Sequence, residues 1–215
     1  LRGRRVFINA GPTVEPIDPV RYISNYSSGR MGIAIADMAA RLGADVTLVL
    51  GPVTVLPQEK SVTVVPVKTA AEMKEASVKA FGVCEIAILA AAVADFTPET
   101  PSATKVKRGD DDLVIRLKPT DDIAACLGKM KRTGQFLAGF ALETDNEMEN
   151  AMGKLRRKNL DMIILNSLKD QGAGFGYDTN RVTIIDRNNN IDKFELKSKD
   201  EVASDILEKI ISLTR

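Results

Sequence analysis

The sequence predicts an α/β protein built on a Rossmann-like, doubly wound and mostly parallel sheet. Three observations carry this reading. Short apolar, β-branched runs recur along the chain, helical apolar periods fall between them, and glycine or proline closes several of the runs. At 215 residues, a single domain spanning 1–215 is expected.

Residues 4–10 (RRVFINA) read as a strand stopped by Gly11-Pro12. From Gly29 the period changes: Met31, Ile35, Met38 and Leu42 mark one helical stripe, ended by Gly43. Residues 45–50 form the next strand, closed by Gly51-Pro52, and 62–67 another. Thr69-Ala-Ala-Glu72 is a capping box that starts a helix running to Phe81. Residues 86–91 are apolar throughout, which suits a parallel strand covered on both faces.

Residues 95–118 break the alternation. Pro98 and Pro101 precede Lys105-Val-Lys-Arg108, a Gly109-Asp-Asp-Asp112 turn and the run 113–117, which predicts a β excursion projecting from the sheet. Asp121 and Asp122 then open a helix whose apolar face begins at Ile123. Residues 135–141 are strand-like, and Thr144-Asp-Asn-Glu147 is a second capping signal, followed by Met148, Ala151, Met152 and Leu155 at helical spacing. A buried strand at 162–165 precedes the loop Gly172-Ala-Gly174-Phe-Gly176. Residues 181–186 and 192–196 flank Asn188-Asn189-Asn190, a hairpin turn composition. Ser198-Lys-Asp-Glu201 caps a last helix with its stripe at Val202, Ile206, Ile210 and Leu213.

Composition removes whole classes of chemistry. Lys plus Arg total 30 against 29 Asp plus Glu, a net charge of +1, which argues against nucleic-acid or membrane-surface binding. The longest apolar run, 86–94, has nine residues, short of the ~20 that a membrane span needs. There is no histidine, so Ser-His-Asp triads, Cys-His pairs and histidine metal ligands are excluded. Cys84 and Cys126 form no CxxC; both are expected to be reduced core residues of a cytoplasmic protein. The chain opens on Leu1, which suggests a piece of a longer polypeptide. Carboxylates, amines, guanidinium groups, amides and backbone dipoles remain, a set suited to phosphoryl or nucleotidyl transfer, where positioning and charge stabilisation dominate.

In an open parallel sheet, ligands bind beyond the carboxyl ends of the strands. The loop from Arg21 to Gly32 fits that place: Asn25, Ser27, Ser28 and Gly29 lead into a helix, with the serines as candidate N-caps and a free helix end for a phosphate or carboxylate. No GxGxxG follows the first strand, and no GxxxxGK[ST] occurs. Lys105, Lys107 and Arg108 can serve an exposed edge, Lys154 and Lys158 a solvated helix face, and Asp95 stands at the carboxyl end of the most apolar strand.

Ala10-Gly-Pro-Thr13, Asp18-Pro-Val-Arg-Tyr-Ile-Ser-Asn25, Ser27-Ser-Gly29, Ala91-Ala-Val-Ala-Asp95, Lys105-Val-Lys-Arg108 and Gly139-Phe140 with Glu143-Thr144 occur in this order. Together they resemble the bacterial phosphopantothenoylcysteine synthetases, the carboxy-terminal half of bifunctional coenzyme A biosynthesis proteins. The resemblance implies CTP-dependent ligation of 4′-phosphopantothenate with L-cysteine through an acyl-cytidylate, with Mg²⁺ accompanying CTP. By position it gives Asn25 a donor role at the acyl-cytidylate, Arg21 an anionic partner, and Lys105 a role both in the reaction and at the nucleotide. It assigns Leu89, Ala90, Ala91, Asp95, Asp121, Asp122, Ile123, Ala124, Phe140, Lys154 and Lys158 to the cytidine nucleotide. Arg21, Asn25, Ser27, Ser28, Gly29, Ala91 and Ala92 fall to the pantothenate substrate.

The resemblance also implies a homodimer in which the 95–118 excursion reaches over a second subunit, and an amino-terminal flavin-dependent decarboxylase in the intact protein, with no flavin in this part. Thr120-Asp121-Asp122-Ile123 departs from the family's common Asn-Pro-Asp-Ile, as do Tyr26 and Leu142 from a common histidine and alanine. Two other readings predict different behaviour. A short-chain reductase needs Tyr-x-x-x-Lys, but Tyr22, Tyr26 and Tyr177 are followed four residues on by Tyr26, Arg30 and Arg181. A non-catalytic nucleotide-binding or dimerisation module would bind CTP without turnover.

Overall fold

Six parallel strands and an antiparallel edge make up the sheet that dominates the computed structural model, which describes residues 1–109, 112–143, 145–167 and 177–214. In chain order the elements are β1 (Arg5–Ala10), β2 (Val14–Pro16), β3 (Tyr22–Ser24), α1 (Arg30–Arg41), β4 (Asp45–Leu50), β5 (Thr63–Pro66) and α2 (Ala70–Phe81). They continue with β6 (Ile86–Leu89), β7 (Phe96–Pro98), β8 (Leu117–Pro119), α3 (Ile123–Met130), β9 (Phe136–Glu143), α4 (Glu147–Arg157) and β10 (Met162–Ser167). The chain ends with β11 (Thr179–Asn180), β12 (Val182–Asp186), β13 (Ile191–Lys193), β14 (Lys197–Ser198) and α5 (Lys199–Leu213).

The sheet order is β13-β12-β10-β9-β6-β1-β4-β5. From β1 the chain moves outward through β4 and β5, then returns to the other side of β1 at β6 and moves out through β9 and β10. Strand order therefore reverses between β1 and β6, which opens a crevice at their carboxyl ends. The register Leu48–Ile8–Ile88–Ala138–Met162 runs straight across the sheet and explains its unbroken apolar strands. One face packs on α1 and α5 through Ile8, Leu48, Ile35, Ile206 and Ile210. The other packs on α2, α3 and α4 through Phe7, Leu137, Met73, Leu127 and Leu155.

Both capping boxes form as expected. Thr69 accepts from the Glu72 N–H and Ser198 from the Glu201 N–H, and each glutamate reaches back to its cap. Three helical details differ from the sequence reading. The serines before α1 do not cap it: Gly29 takes the N-cap at φ +74°, a left-handed conformation natural to glycine, and its N–H donates to Ser27 Oγ. Leu42 is exposed rather than part of the stripe, because α1 is wedged between the sheet and α5 and buries Ile33, Ala34, Ala36 and Ala39. At α4 the cap is Asn146 in a left-handed conformation without a side-chain bond, while Thr144 and the loop Gly172-Ala-Gly174-Phe-Gly176 lie outside the described residues.

The 95–118 excursion is less regular than predicted. β7 pairs with β8 over three residues each, and Glu99 N–H donates to the Arg116 carbonyl. Beyond that point neither Lys105-Val-Lys-Arg108 nor 113–116 lies in a strand, and of the expected turn Asp110 and Asp111 fall outside the described residues. An alternating sequence becomes a strand only where another backbone pairs with it, and this chain offers no such neighbour among the described residues.

Candidate functional site

Two adjoining cavities occupy the crevice beyond β1 and β6. The larger, about 410 Å³, lies between the ends of β6 and β9, the start of α3 and the end of α4. The smaller, about 150 Å³, lies against the first turn of α1. Ala91, Ala92, Phe140 and Leu142 line both and form the wall between them.

The segment after β6 is fixed by the segment after β1. Asn9, buried in an otherwise apolar strand, accepts the Ala91 N–H with its side-chain oxygen at 3.1 Å. Ala92 N–H donates to the Gly11 carbonyl, and Thr13 Oγ1 accepts the Ala94 N–H at 3.0 Å. Thr120 closes the far side, its hydroxyl donating to the Ala94 carbonyl at 2.6 Å. Gly32 lets α1 approach: a Cβ there would stand 2.4 Å from the Ala10 Cβ.

Both cavities meet a helix N-terminus. Ile33 N–H makes the first intrahelical bond of α1, to Gly29, so the N–H groups of Arg30, Met31 and Gly32 precede the ladder and border the smaller cavity. At α3 the cap is Asp122, as expected; it accepts the Ala125 N–H at 2.9 Å, and Ile123 and Ala124 border the larger cavity. Each end carries partial positive charge and suits an anion.

Lys154 and Lys158 both reach the larger cavity, where each meets a carboxylate: Lys154 Nζ lies 2.6 Å from Glu143 and Lys158 Nζ 3.0 Å from Asp122. Burial alone would raise the Asp122 carboxyl, but the Ala125 N–H and the Lys158 ammonium outweigh it and hold it below its ordinary value. Asp121 lines the same cavity and pairs with Lys74 at 2.8 Å. Asp95 stands exposed at its rim.

Most of the residues singled out in the sequence thus meet here. Asn25, Leu89, Ala91, Ala92, Asp95, Asp121, Asp122, Ile123, Ala124, Phe140, Lys154 and Lys158 line the larger cavity. Ser27, Ser28, Gly29 and Ala90 line the smaller, where Ala91, Ala92 and Phe140 recur.

Two expectations change. Asn25 was read as a donor, but its amide nitrogen already donates to the Ala92 carbonyl at 2.9 Å and the Val93 carbonyl at 3.2 Å. Two carbonyl neighbours fix the amide orientation, so Oδ1, an acceptor, is the end left to the cavity. Arg21 was read as an anion partner, but it grips the buried Asp18, with Nε at 3.0 Å, and donates from Nη2 to the Val106 carbonyl at 2.8 Å. Lys105, expected to reach a second subunit, is exposed on the excursion and lines neither cavity of its own chain.

The sequence reading missed Lys199, Asn166 and Asn180, which line the smaller cavity. Lys199 is buried, burial pushes its ammonium pKa down, and its Nζ donates to the Tyr177 carbonyl. Asn9 left a usable signal, a lone amide in an apolar strand; Lys199 left none, because it sits inside a capping motif. A wider depression of about 770 Å³, between the start of α4 and the β12–β13 edge, contains none of the predicted residues. Cys84 is buried and its thiol pushed up to about 12 by that burial, while Cys126 is half-buried. No helix among the described residues is long and apolar enough to cross a membrane.

Known proteins give the chain its family. The family described as the DNA/pantothenate metabolism flavoprotein C-terminal domain matches residues 1–213. The chain is 71% identical over 213 residues to a protein of an unidentified prokaryotic organism named cysteine/cysteine sulfinic acid decarboxylase, covering 99% of this chain and 59% of that protein. It is 44% identical over 215 residues to the coenzyme A biosynthesis bifunctional protein CoaBC of Bacillus subtilis strain 168, covering 100% of this chain and 53% of the relative. It also matches a crystal structure of the C-terminal domain of a CoaBC protein with a TM-score of 0.84 and 42% identity, covering 99% of this chain and 96% of that one. The chain spans a little over half the length of these curated relatives.

Proposed function

The chain belongs to the DNA/pantothenate metabolism flavoprotein C-terminal domain family, and from that premise we propose that it is a phosphopantothenate–cysteine ligase of coenzyme A biosynthesis, driven by CTP and acting in the cytoplasm. The observation that carries the proposal is the paired cavity, with a helix N-terminus at each part and a shared wall at Ala91, Ala92 and Phe140. One part suits a nucleotide and the other the acid it activates.

The chemistry fits a chain without histidine. A carboxylate is already nucleophilic at neutral pH, so the first step needs placement and charge neutralisation, with no general base. The carboxylate oxygen of 4′-phosphopantothenate bonds to the α-phosphorus of CTP, the bond to the β-phosphate oxygen breaks, and pyrophosphate leaves. The cysteine amine nitrogen then bonds to the acyl carbon and loses its proton to solvent. The acyl carbon–oxygen bond breaks, and CMP leaves with that oxygen.

In this scheme Lys154 and Lys158 exchange Glu143 and Asp122 for phosphate oxygens, and the first turn of α3 adds its N–H groups. Leu89 to Ala91 and Phe140 wall the cytidine, and Asp121 borders it. Ser27, Ser28, Gly29 and the first turn of α1 hold the anionic acid, with Lys199 across the cavity. Asn25 anchors the Ala92–Val93 backbone and offers Oδ1 to the N–H of the incoming amine.

Mg²⁺ would enter with the triphosphate and neutralise part of its charge. No group of three His, Cys, Asp or Glu among the described residues can cage a metal, yet Asp95 offers a hard carboxylate oxygen at the rim. That donor fits an ion held mainly by phosphate oxygens and water.

A second copy of the chain completes the proposal. Val20, Tyr22, Phe96, Leu113 and Val114 are all more than half exposed, and all lie in or beside the 95–118 excursion and the β2–β3 hairpin. Burying them in a homodimer would carry Lys105 toward the partner's crevice. The flavin-dependent decarboxylation is proposed to reside in the part of the relatives that this chain does not match.

The test is an assay with CTP, Mg²⁺ and 4′-phosphopantothenate. Pyrophosphate should appear in a burst matched to the number of sites, and cysteine should convert the burst into turnover. No pyrophosphate in either condition contradicts the reading. CTP binding without turnover would favour the silent module, and CO₂ release from cysteine a decarboxylase.

A further inference from the structure

Asp18 takes no part in the chemistry above, yet its carboxylate is fully enclosed. It accepts the N–H groups of Val20 and Arg21, each at 2.8 Å, and the Arg21 Nε at 3.0 Å together with Nη2. These bonds alone would make an ordinary aspartate turn. The carboxylate goes further and accepts the Val106 N–H at 3.1 Å, 88 residues along the chain. The same Arg21 Nη2 donates to the Val106 carbonyl at 2.8 Å, and Ser102 N–H donates to the Ile17 carbonyl at 2.9 Å. Both backbone groups of Val106, the residue between Lys105 and Lys107, are therefore held from the turn of the β2–β3 hairpin, whose second strand leads into Asn25.

That matters because the basic segment has no strand pairing of its own among the described residues. A buried carboxylate costs free energy unless paired and hydrogen-bonded, and here the pairing is completed by the excursion. We propose that Asp18 is a positioning residue: it clamps the basic excursion to the β2–β3 hairpin, so that Lys105 is presented in one conformation to the crevice it serves. The proposal rests on the ligase reading for what Lys105 does, and on geometry alone for the clamp.

Asp18→Asn keeps the shape and removes the charge. Amide exchange over residues 105–107 is expected to rise about tenfold or more as the clamp opens. Turnover number should fall about 10²-fold while the KM for CTP stays within about twofold, because misplacement costs rate rather than nucleotide affinity. Should this variant fail to fold, Val106→Pro deletes the clamped N–H on the exposed excursion, and the same split is expected of it. Unchanged exchange at 105–107, turnover within about twofold of the unsubstituted protein, or a KM for CTP that rises in step with the lost turnover would each overturn the clamp. The exchange measurement needs no turnover, so it stands or falls apart from the ligase reading, which product formation by the unsubstituted protein tests on its own.

Discussion

Asn25→Ala is expected to lower formation of phosphopantothenoylcysteine by about 10²–10³-fold while CTP affinity stays within about twofold. The amide does two jobs at one place. Its nitrogen bridges the carbonyls of Ala92 and Val93, which fixes the backbone dividing the two cavities. Its oxygen, which takes no part in that bridge, is the group proposed to accept from the incoming amine. Alanine removes both, but leaves Lys154, Lys158 and the start of α3 intact for the triphosphate. Asn25→Asp should be at least as damaging, because a carboxylate oxygen replaces the donor against two carbonyl oxygens. Equilibrium binding of CTP alongside a product assay separates these effects. Normal product formation by Asn25→Ala would remove Asn25 from the mechanism.

Alone, Lys105→Gln is expected to be nearly inactive if the proposed homodimer holds, with its thermal transition unmoved, since the residue is exposed and lies outside the core. The more telling result comes from mixing it with Asn25→Ala. If the excursion serves the partner's crevice, each mixed dimer regains one complete site, made of the Asn25 of one copy and the Lys105 of the other. Random reassortment makes half of the dimers mixed, so activity should recover to about a quarter of the unsubstituted level. No recovery after verified subunit exchange would mean that Lys105 acts within its own chain or not at all. Gel filtration at the assay concentration supplies the necessary control.

What the sequence disclosed follows from how local the physics is. The capping boxes at Thr69 and Ser198 and the strand Asp45–Leu50 appear as read, because each is settled within a few residues. The start of α1 was misread because a favourable serine cap yields to Gly29, whose left-handed turn lets the helix end approach β1. The excursion pairs at its base, β7 with β8, but was read as more regular than it is, because alternation states only that a segment can pair, and pairing needs a second backbone.

At the site the division is the same. The family resemblance, carried by the order of the motifs, assigned a dozen residues that line one crevice. The partners of Asn25 and Arg21 lie 67 and 85 residues away and leave no trace in local pattern. Those partners move the proposed roles: Asn25 is proposed as an anchor and acceptor, and Arg21 as half of the proposed clamp. Lys199 is the converse, a buried cation hidden inside a capping motif that explained its surroundings too well.

In the proposed ligation the acid of the pantothenate attacks the α-phosphorus of CTP within the divided crevice. Heavy oxygen placed in that carboxylate reports the event directly, read by mass spectrometry of the products. One labelled oxygen should leave in CMP and the other should remain in the new amide carbonyl, with none in pyrophosphate. Label in inorganic phosphate, or CMP formed without it, would contradict the acyl-cytidylate and the role given to this crevice.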